Sequence, residues 1–156
     1  MFGNNNDLRN IYFIIFLSFV FSLKNSHTLA QGDKIIGVWV SEKNDLKIEI
    51  FNKNGKYFGK MLWFVCEVKG KEMLDYQDTK NPNPALRNRN WLGMQVVEDL
   101  RYDKKTNLWK GGSLYDPNEG KTYKIEVSID HTQTLFVRAY WGIYLLGKTL
   151  VFCREN

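Results

Sequence analysis

The stretch Lys-Thr-Tyr-Lys-Ile-Glu-Val-Ser-Ile, residues 121–129, gives the clearest indication of the fold. Its apolar residues occupy every second position, at Tyr123, Ile125, Val127 and Ile129. Because successive side chains of a β-strand point to opposite faces, this alternation predicts a strand with one buried face and one hydrated face.

Seven further segments carry short apolar or alternating runs that turn residues separate, which is typical of strands. These predicted strands cover residues 36–40, 46–50, 57–67, 94–102, 108–115, 135–140 and 146–154. Most of the connections are short, so consecutive strands pair as hairpins in an antiparallel meander. Closing the sheet removes its exposed edges, and we therefore predict an all-β, eight-stranded antiparallel barrel. A barrel of this size is either filled by side chains or holds one small ligand.

An apolar run at residues 11–23 lies near the amino terminus. It is shorter than the roughly 20 residues that a membrane-spanning helix needs. Small residues precede Gln31 in the pattern that signal peptidases recognise, so we predict that residues 1–30 are a signal peptide removed after Ala30. Cleavage would leave residues 31–156 as a single domain without a transmembrane segment, located in the periplasm or outside the cell.

The charge of the chain bears on both its export and its partners. An uncleaved anchor is the alternative to a signal peptide, because Asp7 offsets Arg9 ahead of the apolar run.

The whole chain has 22 basic and 17 acidic residues, a formal net charge of +5. The basic residues are scattered, whereas nucleic-acid-binding domains cluster them on one face or along one helix. We therefore predict no nucleic-acid partner.

Gly37-Val38-Trp39 in the first strand and Arg154 at the end of the last strand resemble the lipocalin and wider calycin pattern. In that pattern the tryptophan packs under an arginine near the carboxyl end and closes the floor of the barrel. The resemblance implies structural roles for Gly37, Trp39 and Arg154.

A more extensive resemblance runs through blocks at residues 78–93, 109–123, 135–140 and 146–149. In this order the blocks resemble the bacterial exported family called domain of unknown function 2147. The resemblance implies an exported, lipocalin-like (calycin) domain in which Trp109 has a structural role. It implies no particular activity.

The long connection at residues 67–94 interrupts the regular spacing of strands, and long loops in compact domains are often functional. Arg87 and Arg89 offer planar guanidinium groups suited to carboxylate or phosphate. Asp78 and Asn81 add a carboxylate acceptor and an amide, which makes these four residues candidate ligand-binding residues. Alternatively, the same residues organise the loop through Asx-type turns and arginine–carboxylate pairs.

Arg138 and Tyr140 are further candidate ligand-binding residues on a predicted strand. Strand alternation places Arg138 on one face with Phe136 and Tyr140. If that face lines the barrel, the buried guanidinium needs a partner or a ligand. If it faces outward, Arg138 is a surface residue lying over aromatic neighbours.

The sequence contains no set of residues that indicates catalysis or metal binding. His131 is the only histidine after the predicted cleavage, and its polar turn predicts a solvated side chain. Cys66 and Cys153 lack metal-ligand spacing, although export would permit a disulfide between them. We therefore predict a protein that is not an enzyme and needs neither a metal nor a cofactor.

These observations favour an exported binding domain for a small amphipathic or anionic hydrophobic molecule, with the long connection guarding the mouth of the barrel. The alternative is a structural or protein-interaction module of the cell envelope with a filled barrel. In that case the apolar strand around Trp63 would contact an envelope protein.

Overall fold

A computed structural model describes residues 31–155, so the predicted signal peptide, residues 1–30, lies outside the described residues. Eight antiparallel strands form a closed barrel in which each strand pairs with the next and the last pairs with the first. The strands are β1 (Gly37–Ser41), β2 (Leu46–Lys53), β3 (Lys56–Phe64), β4 (Gln95–Asp103), β5 (Leu108–Asp116), β6 (Lys121–Ile129), β7 (Thr134–Tyr140) and β8 (Lys148–Arg154). The predicted fold class is thus confirmed.

Short 3-10 helices at Gln31–Ile35, Met73–Asp75, Pro84–Leu86 and Tyr144–Leu146 complete the structure. Within residues 31–155 no helix has the length and apolar character needed to cross a membrane.

Three strand boundaries differ from the predicted ones by two residues or more, and the first is the end of β2, which lies at Lys53 rather than at residue 50. The third strand ends at Phe64 rather than at residue 67, because its partner β2 begins at Leu46, opposite Phe64. Beyond that pair the Val65 amide donates to the Asp45 carbonyl. The last strand begins at Lys148 rather than at residue 146. Residues before it form a 3-10 turn in which the Gly147 amide donates to the Tyr144 carbonyl.

Alternate connections of a meander lie at the same end of the barrel, so its two ends carry different loops and turns. The amino-terminal end carries residues 31–36 and the β2–β3, β4–β5 and β6–β7 turns. The other end, here called the loop end, carries residues 65–94 between β3 and β4, here called the long loop. It also carries residues 141–147 between β7 and β8, here called the apolar tip.

Apolar side chains from alternate strand positions fill the barrel interior. The buried residues of the strands include Trp39, Ile48, Ile50, Tyr57, Met61, Val97, Leu100, Trp109, Ile125, Val127, Leu135, Val137 and Phe152. The indoles of the two buried strand tryptophans are hydrogen-bonded at the amino-terminal end, where Trp39 donates to the Ile35 carbonyl and Trp109 donates to the Gly32 carbonyl. The 3-10 helix at Gln31–Ile35 is therefore held against this end of the core.

The two cysteines are free. Cys66 follows β3 at the loop end, whereas Cys153 lies near the end of β8 at the amino-terminal end. Because the strands of the barrel separate them, the two thiols do not form a disulfide with each other in this structure.

Candidate functional site

Asp78 is the centre of a polar network inside the long loop and is fully buried. Its Oδ1 accepts a hydrogen bond from the Tyr115 hydroxyl at 2.5 Å. Its Oδ2 accepts from Asn81 Nδ2 at 2.6 Å and from Arg89 Nη2 at 2.8 Å. Burial by itself raises the pKa of the Asp78 carboxyl, but these three donors outweigh that effect and hold the pKa below its ordinary value.

Arg89 and Tyr115 enclose this carboxylate from two sides. The Arg89 guanidinium carbon lies 5.7 Å from the centroid of the Tyr115 ring, in addition to the ion pair with Asp78. Burial and the hydrogen bond to Asp78 raise the pKa of Tyr115 to about 12, so its hydroxyl is a neutral donor at physiological pH. The network therefore joins the long loop to strand β5.

Arg87 is exposed and acts on the loop backbone. Its Nε donates to the Asn81 carbonyl at 2.9 Å. The Asn81 side-chain oxygen accepts from the Asn83 amide, and Asn83 in turn caps the 3-10 helix Pro84–Leu86. The structure thus brings the four loop candidates together, and their hydrogen bonds serve the loop itself.

Arg138 lies on the outer face of β7, because its neighbours Leu135 and Val137 point into the barrel core. Its Nη2 donates to the carbonyls of Tyr144 and Leu145, at 3.1 and 2.9 Å. Of the two orientations considered for Arg138, the structure has the outward one.

Tyr140 is on the same outer face as Arg138 and contacts Tyr144 edge to face, with ring centroids 5.2 Å apart. Strand β7 pairs with β6 and β8, whereas the Asp78 network is attached to β5. Arg138 and Tyr140 are therefore not part of the network around Asp78.

The four predicted structural residues lie at the amino-terminal end. Arg154 covers the Trp39 ring and donates to the carbonyls of Lys34 and Ile36. Gly37 has a φ of 135°, and a Cβ atom there would lie 2.5 Å from Arg154 Nη1. Glycine at this position therefore leaves room for the arginine. At the same end of the barrel, the Trp109 indole donates a hydrogen bond to the Gly32 carbonyl.

Two pockets border the long loop, and none of their lining residues is among the six candidate ligand-binding residues of the sequence. The first has a volume of about 520 Å³ and a largely apolar wall that includes Trp63, Phe64, Cys66, Met73, Leu74 and Leu92. The second has a volume of about 360 Å³ and a more polar wall that includes Asp75, Gln77, Thr79, Lys80 and Asn118. Lys71 lines both. The two pockets together are here called the loop groove.

An aromatic cluster supports the loop groove. Phe64, Tyr76 and Trp91 contact one another with ring centroids 5.1 to 5.4 Å apart. The Lys71 ammonium lies 5.7 Å from the Tyr76 ring centroid. A signal for this cluster exists in the sequence, because Met73, Tyr76 and Trp91 are large apolar or aromatic residues within an otherwise polar connection.

His131 is exposed in the β6–β7 turn, beside Asp130. The Asp130 carboxylate accepts hydrogen bonds from Thr132 and Thr134, which lower its pKa. Among residues 31–155, no three histidine, cysteine, aspartate or glutamate side chains are grouped closely enough to hold a metal ion.

Comparison with known proteins places this architecture in a family. Protein HP1028 from Helicobacter pylori, described as belonging to the lipocalin family, has a similar solved structure with a TM-score of 0.65 and 28% sequence identity. The similarity covers 78% of this chain and 83% of that chain. No curated protein sequence matches significantly. Residues 37–154 match the family model described as "Uncharacterized protein conserved in bacteria (DUF2147)". The chain therefore belongs to the DUF2147 family and has a lipocalin-like fold.

Proposed function

We propose that this protein is an exported binding protein, not an enzyme, and that it holds a small amphipathic molecule with an anionic group in the loop groove. The observation that carries the proposal is the position of Lys71, which lines both an apolar pocket of about 520 Å³ and a more polar pocket of about 360 Å³. Lipocalin-like barrels are compatible with small-ligand binding, which supports a binding role for this fold.

The apolar pocket has the size and lining that suit a short hydrocarbon or ring system. Ligand pockets of several hundred Å³ are usually apolar, with a few polar groups that orient the ligand. Here Trp63 and Leu92 line the apolar pocket, while Lys71 and Glu72 are its charged residues. A hydrophobic portion of the ligand would bury apolar surface against this wall.

The polar pocket supplies cations for an anionic group. Lys71 and Lys80 both line it, and Asp75 is the single acidic residue of the lining. The Lys80 ammonium is held near the groove by donating to the Asn118 carbonyl at 2.7 Å. A carboxylate, sulfate or phosphate next to Lys71 would gain a charge-assisted hydrogen bond without displacing an existing ion pair of that residue among those described.

The side chains that fill the barrel interior favour the loop groove over the barrel centre as the binding position. Leu100, Ile125 and Val127 are interior residues with 2% exposure or less, which indicates that packed side chains occupy the inside of the barrel. The same filled interior favours a second candidate function, a structural or protein-interaction module of the cell envelope. In that role the apolar wall around Trp63 would contact a protein instead of a small molecule.

Export is part of the proposal and is supported by the apolar run at residues 11–23 and the small residues before Gln31. Amino-terminal sequencing of the protein from a bacterial host tests it. The expected product begins at Gln31 and is recovered outside the cytoplasm. An intact amino terminus on protein retained in the cytoplasm would contradict export.

A fluorescence titration with anilinonaphthalene sulfonate, an amphipathic anion, tests the groove. Leu74→Glu introduces a charge into the apolar wall, and Val68→Glu is its control because Val68 is exposed but lines neither pocket. Lys71→Glu reverses the proposed anchoring charge, and Lys69→Glu makes the same charge change outside the groove.

We expect Lys71→Glu to weaken binding about 10-fold or more, the affinity equivalent of one charge-assisted hydrogen bond. Leu74→Glu should weaken it as well, and both control variants should bind like the wild type. Saturable binding that all four variants retain would contradict the loop groove as the site. Absence of saturable binding to the wild type, together with capture of an envelope protein that Leu74→Glu prevents, would favour the interaction module.

A further inference from the structure

The apolar tip between β7 and β8 has the sequence Trp-Gly-Ile-Tyr-Leu-Leu-Gly. Trp141, Leu145 and Leu146 are each more than four-fifths exposed, at 81%, 82% and 81%, and Ile143 is 61% exposed. Single exposed apolar residues are ordinary on protein surfaces, but a run of four large ones forms a continuous patch that marks an interaction site.

This exposure belongs to an ordered turn. Arg138 donates from Nη2 to the Tyr144 and Leu145 carbonyls and from Nη1 to the Thr149 hydroxyl. The Tyr144 hydroxyl donates to Glu126 at 3.2 Å. These contacts anchor the base of the apolar tip to the outer face of the barrel, so its apolar side chains are held in an outward position.

The backbone of the apolar tip satisfies many of its own polar groups. The amides of Ile143, Leu146 and Gly147 donate to carbonyls within residues 141–144. Arg138 donates further hydrogen bonds to the carbonyls of Tyr144 and Leu145. Because these polar groups are already hydrogen-bonded, moving the segment into a medium with few hydrogen-bond partners costs less free energy.

Basic residues flank the apolar tip. Lys148 directly follows it, and Lys124 pairs in register with Tyr140, which directly precedes it. Both lysines are exposed, and neither is in an ion pair with another described residue. Glu126, whose carboxylate accepts a hydrogen bond from Tyr144 of the tip, also lies 3.6 Å from the Lys110 ammonium. The surroundings of the tip therefore present positive charge.

We propose that the apolar tip binds the surface of a bilayer containing anionic phospholipid. Trp141 and the two leucines would insert among the acyl chains near the headgroups, while Lys124 and Lys148 contact lipid phosphates. Tryptophan beside aliphatic residues and flanking lysines is typical of segments that lie at membrane interfaces. A stable protein interface buries roughly 800 Å² on each partner, more than a protruding seven-residue turn offers, which favours a lipid surface over a protein.

Sedimentation with lipid vesicles tests this proposal. The protein is produced from the whole 156-residue sequence, and its amino terminus is determined before use. Vesicles of phosphatidylcholine alone are compared with vesicles that contain equal parts of phosphatidylcholine and phosphatidylglycerol. The variant Leu145→Ser/Leu146→Ser removes apolar side chains from the tip. Val68→Ser is its control, because Val68 is also well exposed, at 50%, lies on the long loop and lines neither pocket of the loop groove.

We expect the wild type to bind the anionic vesicles and the double variant to bind about tenfold or more weakly, given the apolar area removed. Val68→Ser should bind like the wild type. Lys124→Glu/Lys148→Glu should remove the preference for anionic vesicles. Bromine-labelled lipid should quench the fluorescence of the wild type more than that of Trp141→Phe.

Equal vesicle binding by the wild type and the double tip variant would overturn the proposal. So would absence of vesicle binding by the wild type. If analytical ultracentrifugation then showed a dimer that the tip substitutions dissociate, the apolar tip would be a contact between copies of this chain.

Discussion

The guanidinium carbon of Arg154 lies 4.3 Å from the ring centroid of Trp39, so the last strand covers the central residue of the first. The two residues are also register partners in the β1–β8 pairing that closes the barrel. Arg154 donates to the backbone carbonyl of Ile36, which ties the segment preceding β1 to the same point. The Trp39–Arg154 contact therefore lies both where the sheet closes and where the amino-terminal end of the barrel is covered.

Replacement of Trp39 tests this contact. Trp39→Ala should lower the free energy of unfolding by about 3–5 kcal/mol, because it removes a fully buried indole from the core. Arg154→Lys should cost less but still destabilise, since an ammonium group cannot match the planar fork over the ring. Urea denaturation measures both. Trp141→Ala, at an exposed position, is the control and should leave the unfolding midpoint unchanged. An unchanged midpoint for Trp39→Ala would refute the structural role.

Asp78 should make stability depend on pH. Its pKa is lowered in the folded state, so the charged form contributes stability above the ordinary value of 3.8. That contribution is lost as the pH falls through the lower folded-state pKa. Asp78→Asn should remove this part of the acid sensitivity and cost about 1.5–3 kcal/mol at neutral pH, as loss of charged hydrogen bonds does.

The control for Asp78 is Asp99→Asn, which breaks the exposed pair with Lys56. Exposed ion pairs contribute about 1 kcal/mol or less, so this variant should stay close to the wild type. Thermal unfolding measured between neutral and acidic pH compares the two variants. If Asp78→Asn retains the acid sensitivity of the wild type, Asp78 is not the source of that pH dependence.

Substitution of Arg89 distinguishes a role in ligand recognition from a role in the structure of the long loop. It pairs with the buried Asp78 carboxylate, so Arg89→Ala should lower the melting temperature by several degrees and leave binding in the loop groove largely intact. Arg87→Ala should have a smaller effect on stability, because the exposed Arg87 donates only to a loop carbonyl. Parallel melting and anion-binding measurements test this. Weakened binding with unchanged stability would restore both arginines as recognition residues.

Arg138 should control the order of the apolar tip. Arg138→Gln removes the hydrogen bonds to the Tyr144 and Leu145 carbonyls. Chymotrypsin should then cleave within residues 141–147 about tenfold faster, since each charged hydrogen bond contributes on the order of 1.5–3 kcal/mol. Mass spectrometry of the fragments locates the cleavage. Arg101→Gln on β4, another exposed strand arginine, should have no effect, and equal cleavage in both variants would contradict the role of Arg138.

Local sequence patterns were sufficient to predict the eight strands and the closed barrel. Alternation such as that of residues 121–129 depends only on neighbouring residues, because the side-chain repeat of a strand is two. The resemblance carried by Gly37, Trp39 and Arg154 likewise placed structural residues at the two ends of the chain. The ends of β2 and β3 and the start of β8 were predicted less well. Asn52 and Lys53 resemble turn residues, the pairing of β3 with β2 stops at Phe64, and a 3-10 turn precedes β8.

The arrangement of the candidate site was decided only by the tertiary structure. Whether Arg138 faces inward depends on the register of β7 in the closed sheet, and both orientations satisfy the local pattern. Asp78 meets the hydroxyl of Tyr115, which is 37 residues away in sequence, so its buried network arises from the docking of the long loop. The loop groove likewise exists only because the Met73 and Leu92 segments pack beside Trp63. A strand is specified by residues adjacent in sequence, whereas a pocket requires residues distant in sequence to become neighbours in space.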